Sequence, residues 1–277
     1  MSIVFKGVDF VSAPISTGLY SDGTPMVKID QFEEIAKKAT TMTLKASSIL
    51  EFTTAMYLYD ALRMRGDVEP MRLVLPYLPG ARQDRTNIGG DVLFTAHSVA
   101  SDLSVRTWKD IVVLDPHSPV IVKEIILNKV TEFPLSQVAE KMWQGYTGII
   151  AADKGGKDRA EQFAKAMNKP IYYGGKTRDT DTGKLTGFEL EPLEKGGHYL
   201  VVDDICDGGG TFIGLAEKIA EQGCYADLYV SHGIFAKGTD ALHKAFKNIY
   251  VTDSRDFENR SNVLTVNVVE EMEKFNG

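Results

Sequence analysis

Residues Tyr199–Thr211, YLVVDDICDGGGT, run from apolar side chains through acids into glycines. Leu200, Val201 and Val202 make an apolar run of the length of a buried strand. Asp203 and Asp204 follow, then Asp207, Gly208, Gly209, Gly210 and Thr211, and FIGLAEKIAEQG then reads as a helix. A strand, a glycine turn and a helix in that order form part of a βαβ unit. The segment therefore commits its surroundings to parallel strands flanked by helices. It also offers a place for an anion, because glycines let backbone N–H groups close on a phosphate at a helix N-terminus. Two carboxylates beside a phosphate repel it unless they hold ribose hydroxyls or a divalent metal. The plainer reading is an ordinary βα turn carrying a solvated acid pair.

The rest of the chain alternates in the same way. Helices are expected at 31–40, 49–65, 93–103 and 157–167, and strands at 71–75, 111–114, 148–151, 171–173, 228–230 and 249–251. Phe52, Met56, Tyr59 and Leu62 recur at helical spacing and read as core. The polar stretch KTRDTDTGKLTG, 176–187, reads as irregular. The expected fold is α/β, with mainly parallel sheets covered by helices. The boundary is placed at Pro134, ahead of the polar Gln137–Gln144 segment. This gives domains at 1–133 and 134–263, with a C-terminal helix at 264–277 packing on the first.

A chain of 277 residues is long enough for two such halves, each with its own core. The net charge of −7 and pI near 5.3 argue against a duplex nucleic-acid binder, which shows a basic face. No apolar stretch approaches the ~20 residues of a membrane span. The apolar run at the N-terminus is too short for a secretory signal, and Asp9 interrupts it. Cys206 and Cys224 are too few for a disulfide framework and read as reduced thiols of a cytoplasmic protein.

A second motif lies after the strand MRLVL. In PYLPGARQDR, Pro76–Arg85, the residues Arg82, Gln83, Asp84 and Arg85 follow a strand's C-terminal end, where open α/β sheets place ligands. Arginine forks there suit polyphosphate, and a solvated charged loop is the plain alternative. Together with the acid-and-glycine signature, this segment resembles ribose-phosphate pyrophosphokinases, whose ATP site is lined by PYxxYARQDR. Four further segments resemble that family in the same order. VVLDPHSP is similar to LDLHxP, AADKGGKDRA to SPDxGGxxRA, GGKTR to the KxR of a catalytic loop, and SHGIF to a late THxxF-like strand end. YSDGT, Tyr20–Thr24, resembles FSDGE, which in the family reaches a neighbouring subunit's adenine pocket.

The resemblance implies two type I phosphoribosyltransferase-like domains and transfer of pyrophosphate from Mg-ATP to ribose 5-phosphate. Arg82, Gln83 and Asp84, with Tyr20 and Asp22, then border ATP. His117 and Asp153 hold Mg²⁺. Lys176 and Arg178 are the catalytic cations. Asp203, Asp204, Asp207, Gly208, Gly209, Gly210 and Thr211 bind the sugar phosphate. A homo-oligomer, dimer or hexamer, is implied as well.

Three departures stand out. The family's loop reads DTxGT, whereas here it reads DGGGT, so Gly208 removes a hydroxyl donor to the 5-phosphate and three glycines leave room. Thr24 replaces an acidic residue. TNIGGDV follows ARQDR where the family carries basic groups. The residues leave three other readings open. One is the same chemistry on a larger 5-phosphoryl ribose such as ADP-ribose; the others are a phosphoribosyltransferase and a non-catalytic partner of a synthetase.

Overall fold

The computed structural model describes residues 1–8, 15–65, 69–84, 95–178, 185–256 and 262–277. For Ile15, Lys176, Thr177, Arg178, Leu185 and Thr186 it describes the backbone only. The chain forms two compact units. One comprises Met1–Phe133, Ser254–Asp256 and Val269–Gly277, and the other Pro134–Asp253 and Phe257–Val268.

The first unit begins with β1 (Ser2–Lys6), a ribbon of β2 (Ile15–Leu19) and β3 (Pro25–Ile29), and α1 (Phe32–Lys38). Then follow β4 (Thr41–Lys45), α2 (Ile49–Arg63), β5 (Arg72–Leu75), α3 (Thr95–Ser104), β6 (Asp110–Val113), α4 (Pro119–Glu124) and β7 (Val130–Glu132). Its sheet runs β1-β4-β5-β6-β7. β4 to β7 are parallel, and β1 lies antiparallel on the β4 edge. Helix α2 starts where Ser48 accepts the Glu51 N–H, and it buries Phe52, Ala55, Met56, Tyr59 and Leu62. Arg72 on β5 makes a bidentate pair with Asp110 at 2.7 and 2.8 Å. The same guanidinium donates to the Phe275 carbonyl at 2.7 Å, fixing the end of the chain.

The second unit contains α5 (Leu135–Ala139), β8 (Gly148–Ala151), α6 (Lys157–Met167), β9 (Ile171–Arg178), β10 (Leu185–Leu190) and β11 (His198–Cys206). It continues with α7 (Gly210–Glu221), β12 (Tyr225–Gly233), α8 (Asp240–Ala245), β13 (Ile249–Thr252) and β14 (Leu264–Val266). Its sheet order is β10-β9-β8-β11-β12-β13-β14, with β10 alone antiparallel. After β8 the chain adds β9 on one side and later β11 on the other. This makes a switch point, the place where open α/β sheets leave a crevice.

Several expectations change. The stretch expected as irregular from 176 is in part strand: β9 extends to Arg178 and pairs with β10, while 179–184 lie outside the described residues. The expected helix at 264–277 is instead β14, an edge strand of the second sheet, followed by the short helix α9 (Val269–Lys274) of the first unit. α9 packs on β5 and β6. The start of the helix expected at 93 lies outside the described residues; α3 begins at Thr95. No helix among the described residues is long and apolar enough to cross a membrane.

Candidate active site

In the second unit, β8 and β11 lie side by side, with Val202 paired to Ala151. Residues just past these positions therefore share the C-terminal edge of the sheet. Asp203 and Asp204 lie inside β11, which runs on to Cys206, so the acid pair is held by the strand and not by a loop. Asp204 is buried, and the Asp203 side chain is 13 % exposed. Asp203 Oδ1 accepts the Asp204 N–H at 2.9 Å.

Arg159 on α6 lies between the two acids, with Nη1 3.4 Å from Asp203 and Nη2 3.5 Å from Asp204. Its Nη1 also donates to the Gly155 carbonyl. One guanidinium faces three acids here, Asp203, Asp204 and nearby Asp153, so the cluster carries more acid than it can neutralise. Burial, then the Asp204 charge, push the Asp203 carboxyl up, and Arg159 only partly opposes them. Burial also raises the Cys206 thiol to about 12, which removes it from thiolate chemistry at neutral pH.

Asp153 follows β8 and caps its own short turn, with Oδ1 accepting the Gly155 N–H at 2.9 Å and the Gly156 N–H at 3.3 Å. It contributes to the rise at Asp203, so its charge is felt across the cluster. These are hard oxygen donors with surplus negative charge, a set that fits Mg²⁺ shared with substrate phosphates. Among the described residues no group of three or more His, Cys, Asp or Glu forms a closed metal cage.

The glycine loop leads into α7. Gly209 has φ 77°, and a Cβ there would lie 3.1 Å from Leu242, so both backbone and space select glycine. The first N–H with an intrahelical acceptor is that of Ile213, which donates to Gly209. The N–H groups of Gly210, Thr211 and Phe212 open ahead of it. The room expected from three glycines is smaller than the sequence implies. Only Gly210 faces open space; Gly208 lies against Lys237 and Gly209 against Leu242. The backbones of Lys176 and Arg178 lie in β9, two strands from β11, and their side chains are outside the described set.

In the first unit, Pro76–Ala81 carries the chain off β5 over buried Tyr77, Leu78 and Ala81. Gln83 is structural as well as near the expected ATP groups: its carbonyl accepts the Ala96 N–H at 3.2 Å, and its side chain accepts the Thr95 hydroxyl. Arg82 is exposed and Asp84 half-buried, while Arg85 and the TNIGGDV segment lie outside the described residues.

His117 is exposed in the turn after β6, at φ 53°, next to buried Asp115 at φ 40°. Two consecutive strained turns around Pro116 aim the imidazole outward, an arrangement typical of functional loops. Tyr20, 59 % exposed, sits at the tip of the β2–β3 ribbon. Asp22 bonds within the same tip, its Oδ1 accepting the Thr24 N–H at 2.9 Å; this holds its carboxyl below the usual range.

No protein-family model matches the chain. Among curated proteins, the ribose-phosphate pyrophosphokinase of Pyrococcus furiosus is 30% identical over 207 residues, 72% of each chain. The chain belongs to the ribose-phosphate pyrophosphokinase family. The Thermococcus kodakarensis ribose-phosphate pyrophosphokinase is 28% identical over 246 residues, 85% of this chain and 83% of that one.

The phosphoribosylpyrophosphate synthetase of Mycobacterium smegmatis superposes with a TM-score of 0.79 at 20% identity, covering 97% of this chain and 91% of that one. The likeness extends the fold through both α/β halves, each of the phosphoribosyltransferase type. As a ribose-phosphate pyrophosphokinase the protein is an enzyme, a transferase. Arg159 belongs to this candidate site, and sequence reading missed it. Its signal was present in AADKGGKDRA, but its acidic partners lie more than 40 residues further on.

Proposed function

We propose that this ribose-phosphate pyrophosphokinase transfers the β,γ-pyrophosphoryl group of ATP to the anomeric hydroxyl of ribose 5-phosphate. The observation that supports it most is the pairing of family membership with the β11 acid pair, which leads directly into a glycine-lined helix N-terminus. In this reading the anomeric oxygen forms a bond to the β-phosphorus and loses its proton. The bond from that phosphorus to the α,β-bridging oxygen breaks, and AMP leaves. The step asks the protein for alignment and charge neutralisation more than for covalent chemistry.

The roles divide by unit, which is also the proposed division into domains at Pro134. In the second, the N–H groups of Gly210, Thr211 and Phe212 and the Thr211 hydroxyl bind the 5-phosphate. Asp203 and Asp204, held in register by Arg159, accept hydrogen bonds from the ribose 2- and 3-hydroxyls. Asp207 borders the loop and orients the sugar. Lys176 and Arg178 neutralise charge on the transferring group. In the first unit, Arg82 contacts the ATP phosphates beside Gln83 and Asp84, while Tyr20 and Asp22 reach an adenine from the exposed ribbon tip. That reach is the basis for a homo-oligomer, dimer or hexamer. Asp153 in the second unit and His117 in the first are each proposed to hold Mg²⁺, whose chemistry when bound would be neutralisation of the triphosphate. The protein is placed in the cytoplasm, with neither nucleic acid nor membrane as partner.

The test is AMP release from Mg-ATP by purified protein, run in parallel with ribose 5-phosphate and ADP-ribose. Release with ribose 5-phosphate is the expected result. Release with ADP-ribose alone would reassign the acceptor, and silence with both would remove the reaction.

A further inference from the structure

We infer that Lys237 is a sugar-phosphate-binding residue of this protein, taking over from the hydroxyl that Gly208 lacks. The inference rests on the proposed 5-phosphate site and adds to it a cation that neither the acid pair nor the glycine loop supplies. β11 and β12 are parallel neighbours that leave the sheet together, with Cys206 paired to Gly233. The turn after β12 is then bonded onto the glycine loop. Ile234 and Phe235 N–H groups donate to the Cys206 carbonyl at 2.9 and 3.0 Å, and Ala236 N–H donates to Asp207 at 3.1 Å.

Phe235, buried at φ 49°, and Gly238, at φ 71°, bend the backbone on either side, and Gly238 N–H closes onto Phe235 at 2.8 Å. Lys237 is the exposed side chain this bend presents. Its stem runs along the loop: a Cβ on Gly208 would lie 3.6 Å from both Cδ and Cε. The ammonium lies one bond further, within reach of an anion at the α7 N-terminus.

The chemistry favours a charge at this place. The loop that would take a 5-phosphate follows Asp203, Asp204 and Asp207 in the chain, and every donor in it is neutral. A hydroxyl at position 208 would offer one hydrogen bond, whereas a lysine offers a hydrogen bond and a full positive charge. Gly208 is outside the left-handed region and its missing Cβ has ordinary contact distances. Threonine is therefore tolerated there, and the exchange can be reversed experimentally.

The experiment compares wild type, Lys237→Ala, Lys237→Arg and the double variant Lys237→Ala with Gly208→Thr. Binding of ribose 5-phosphate is measured by calorimetry, and turnover with Mg-ATP is measured alongside. Lys237→Ala is expected to weaken ribose 5-phosphate binding and raise its KM at least tenfold, the loss falling on KM and not on kcat or the ATP KM. Arginine keeps most of the affinity, and Gly208→Thr restores much of it in the alanine background. Added salt should weaken wild type more than the double variant, because only wild type uses a charge.

Equal binding by wild type and Lys237→Ala overturns the inference. Should wild type bind ribose 5-phosphate without releasing AMP, the proposed reaction fails while the binding series still decides Lys237. If wild type binds only ADP-ribose, the same series on that probe decides it. Binding of neither overturns it.

Discussion

The two units present their proposed ligand groups in opposite ways. In the second, Asp203 and Asp204 are part of β11, largely buried, and clamped by Arg159. In the first, Arg82, His117 and Tyr20 are exposed on turns that leave strand ends or cap a ribbon. Groups held in a strand carry their desolvation and ordering cost in the folded protein, so they meet the ligand already aligned. Exposed side chains carry that ordering cost at the moment of binding. Substitutions of the strand-held groups of the second unit should therefore show in turnover or stability, and those of exposed groups, such as Arg82 in the first, in affinity.

The widest separation is expected from Lys176→Ala on β9. As a donor to the transferring group it should supply about 3–4 kcal/mol of transition-state stabilisation, a 10²–10³-fold fall in kcat with the ATP KM little changed. Steady-state kinetics decides it, and a normal kcat ends the assignment. Arg159→Ala comes next. It strips a cation from a buried acid pair and should cost about 3 kcal/mol of stability. At roughly 2–4 °C per kcal/mol, a thermal melt reads that as several degrees. Lysine at this place should rescue only in part, because one ammonium cannot span both acids as the fork does. An unchanged melt would mean that the acids are solvated and that the contrast between the units is false.

Much of this was legible in the chain, and the failures have physical causes. The signature was readable because an apolar run, acids and glycines make separate demands within thirteen residues. Its strand was ended too early, since acids at 203 and 204 look like loop and only the neighbour β12 carries the pairing on, with Asp203 opposite Val230 and Ile205 opposite His232. The end of β9 and the start of β10 hid in KTRDTDTGKLTG because the pair there is built from polar residues and glycine, with a register shift between Leu185 and Gly187. β4, TMTLK, was passed over although four of its five residues are buried, the threonines included. The placements of Arg159 and Lys237 could not be read from sequence, because each lies against a segment about 30–45 residues away and only the sheet order unites them.

A smaller effect should mark the first unit. Arg82→Ala removes an exposed guanidinium and should raise the ATP KM about tenfold, close to 1.4 kcal/mol, with melting temperature and kcat nearly unchanged. Isothermal titration with ATP separates this from a fold defect. A collapse of kcat without an affinity change would place Arg82 among the preorganised groups and blur the comparison at its clearest point.

The smallest effect is the most diagnostic of burial. Asp203 has its carboxyl raised by desolvation and by Asp204, so the folded state binds that proton more tightly than the unfolded chain does. Above the ordinary aspartate value of 3.8 the unfolded chain has released the proton while the folded state still holds it. Stability then falls as pH rises through this window, and levels once the folded group is ionised. Asp203→Asn keeps an Oδ1 acceptor for the Asp204 N–H but cannot ionise. Its melting temperature relative to wild type should therefore climb with pH from about 4 towards neutrality, by a few degrees, and be flat below. Mg²⁺ added to wild type should shrink the difference if a cation relieves the same repulsion. A pH-independent difference would show that Asp203 titrates as a solvated acid, and that β11 offers its carboxylates no differently from the exposed turns of the first unit.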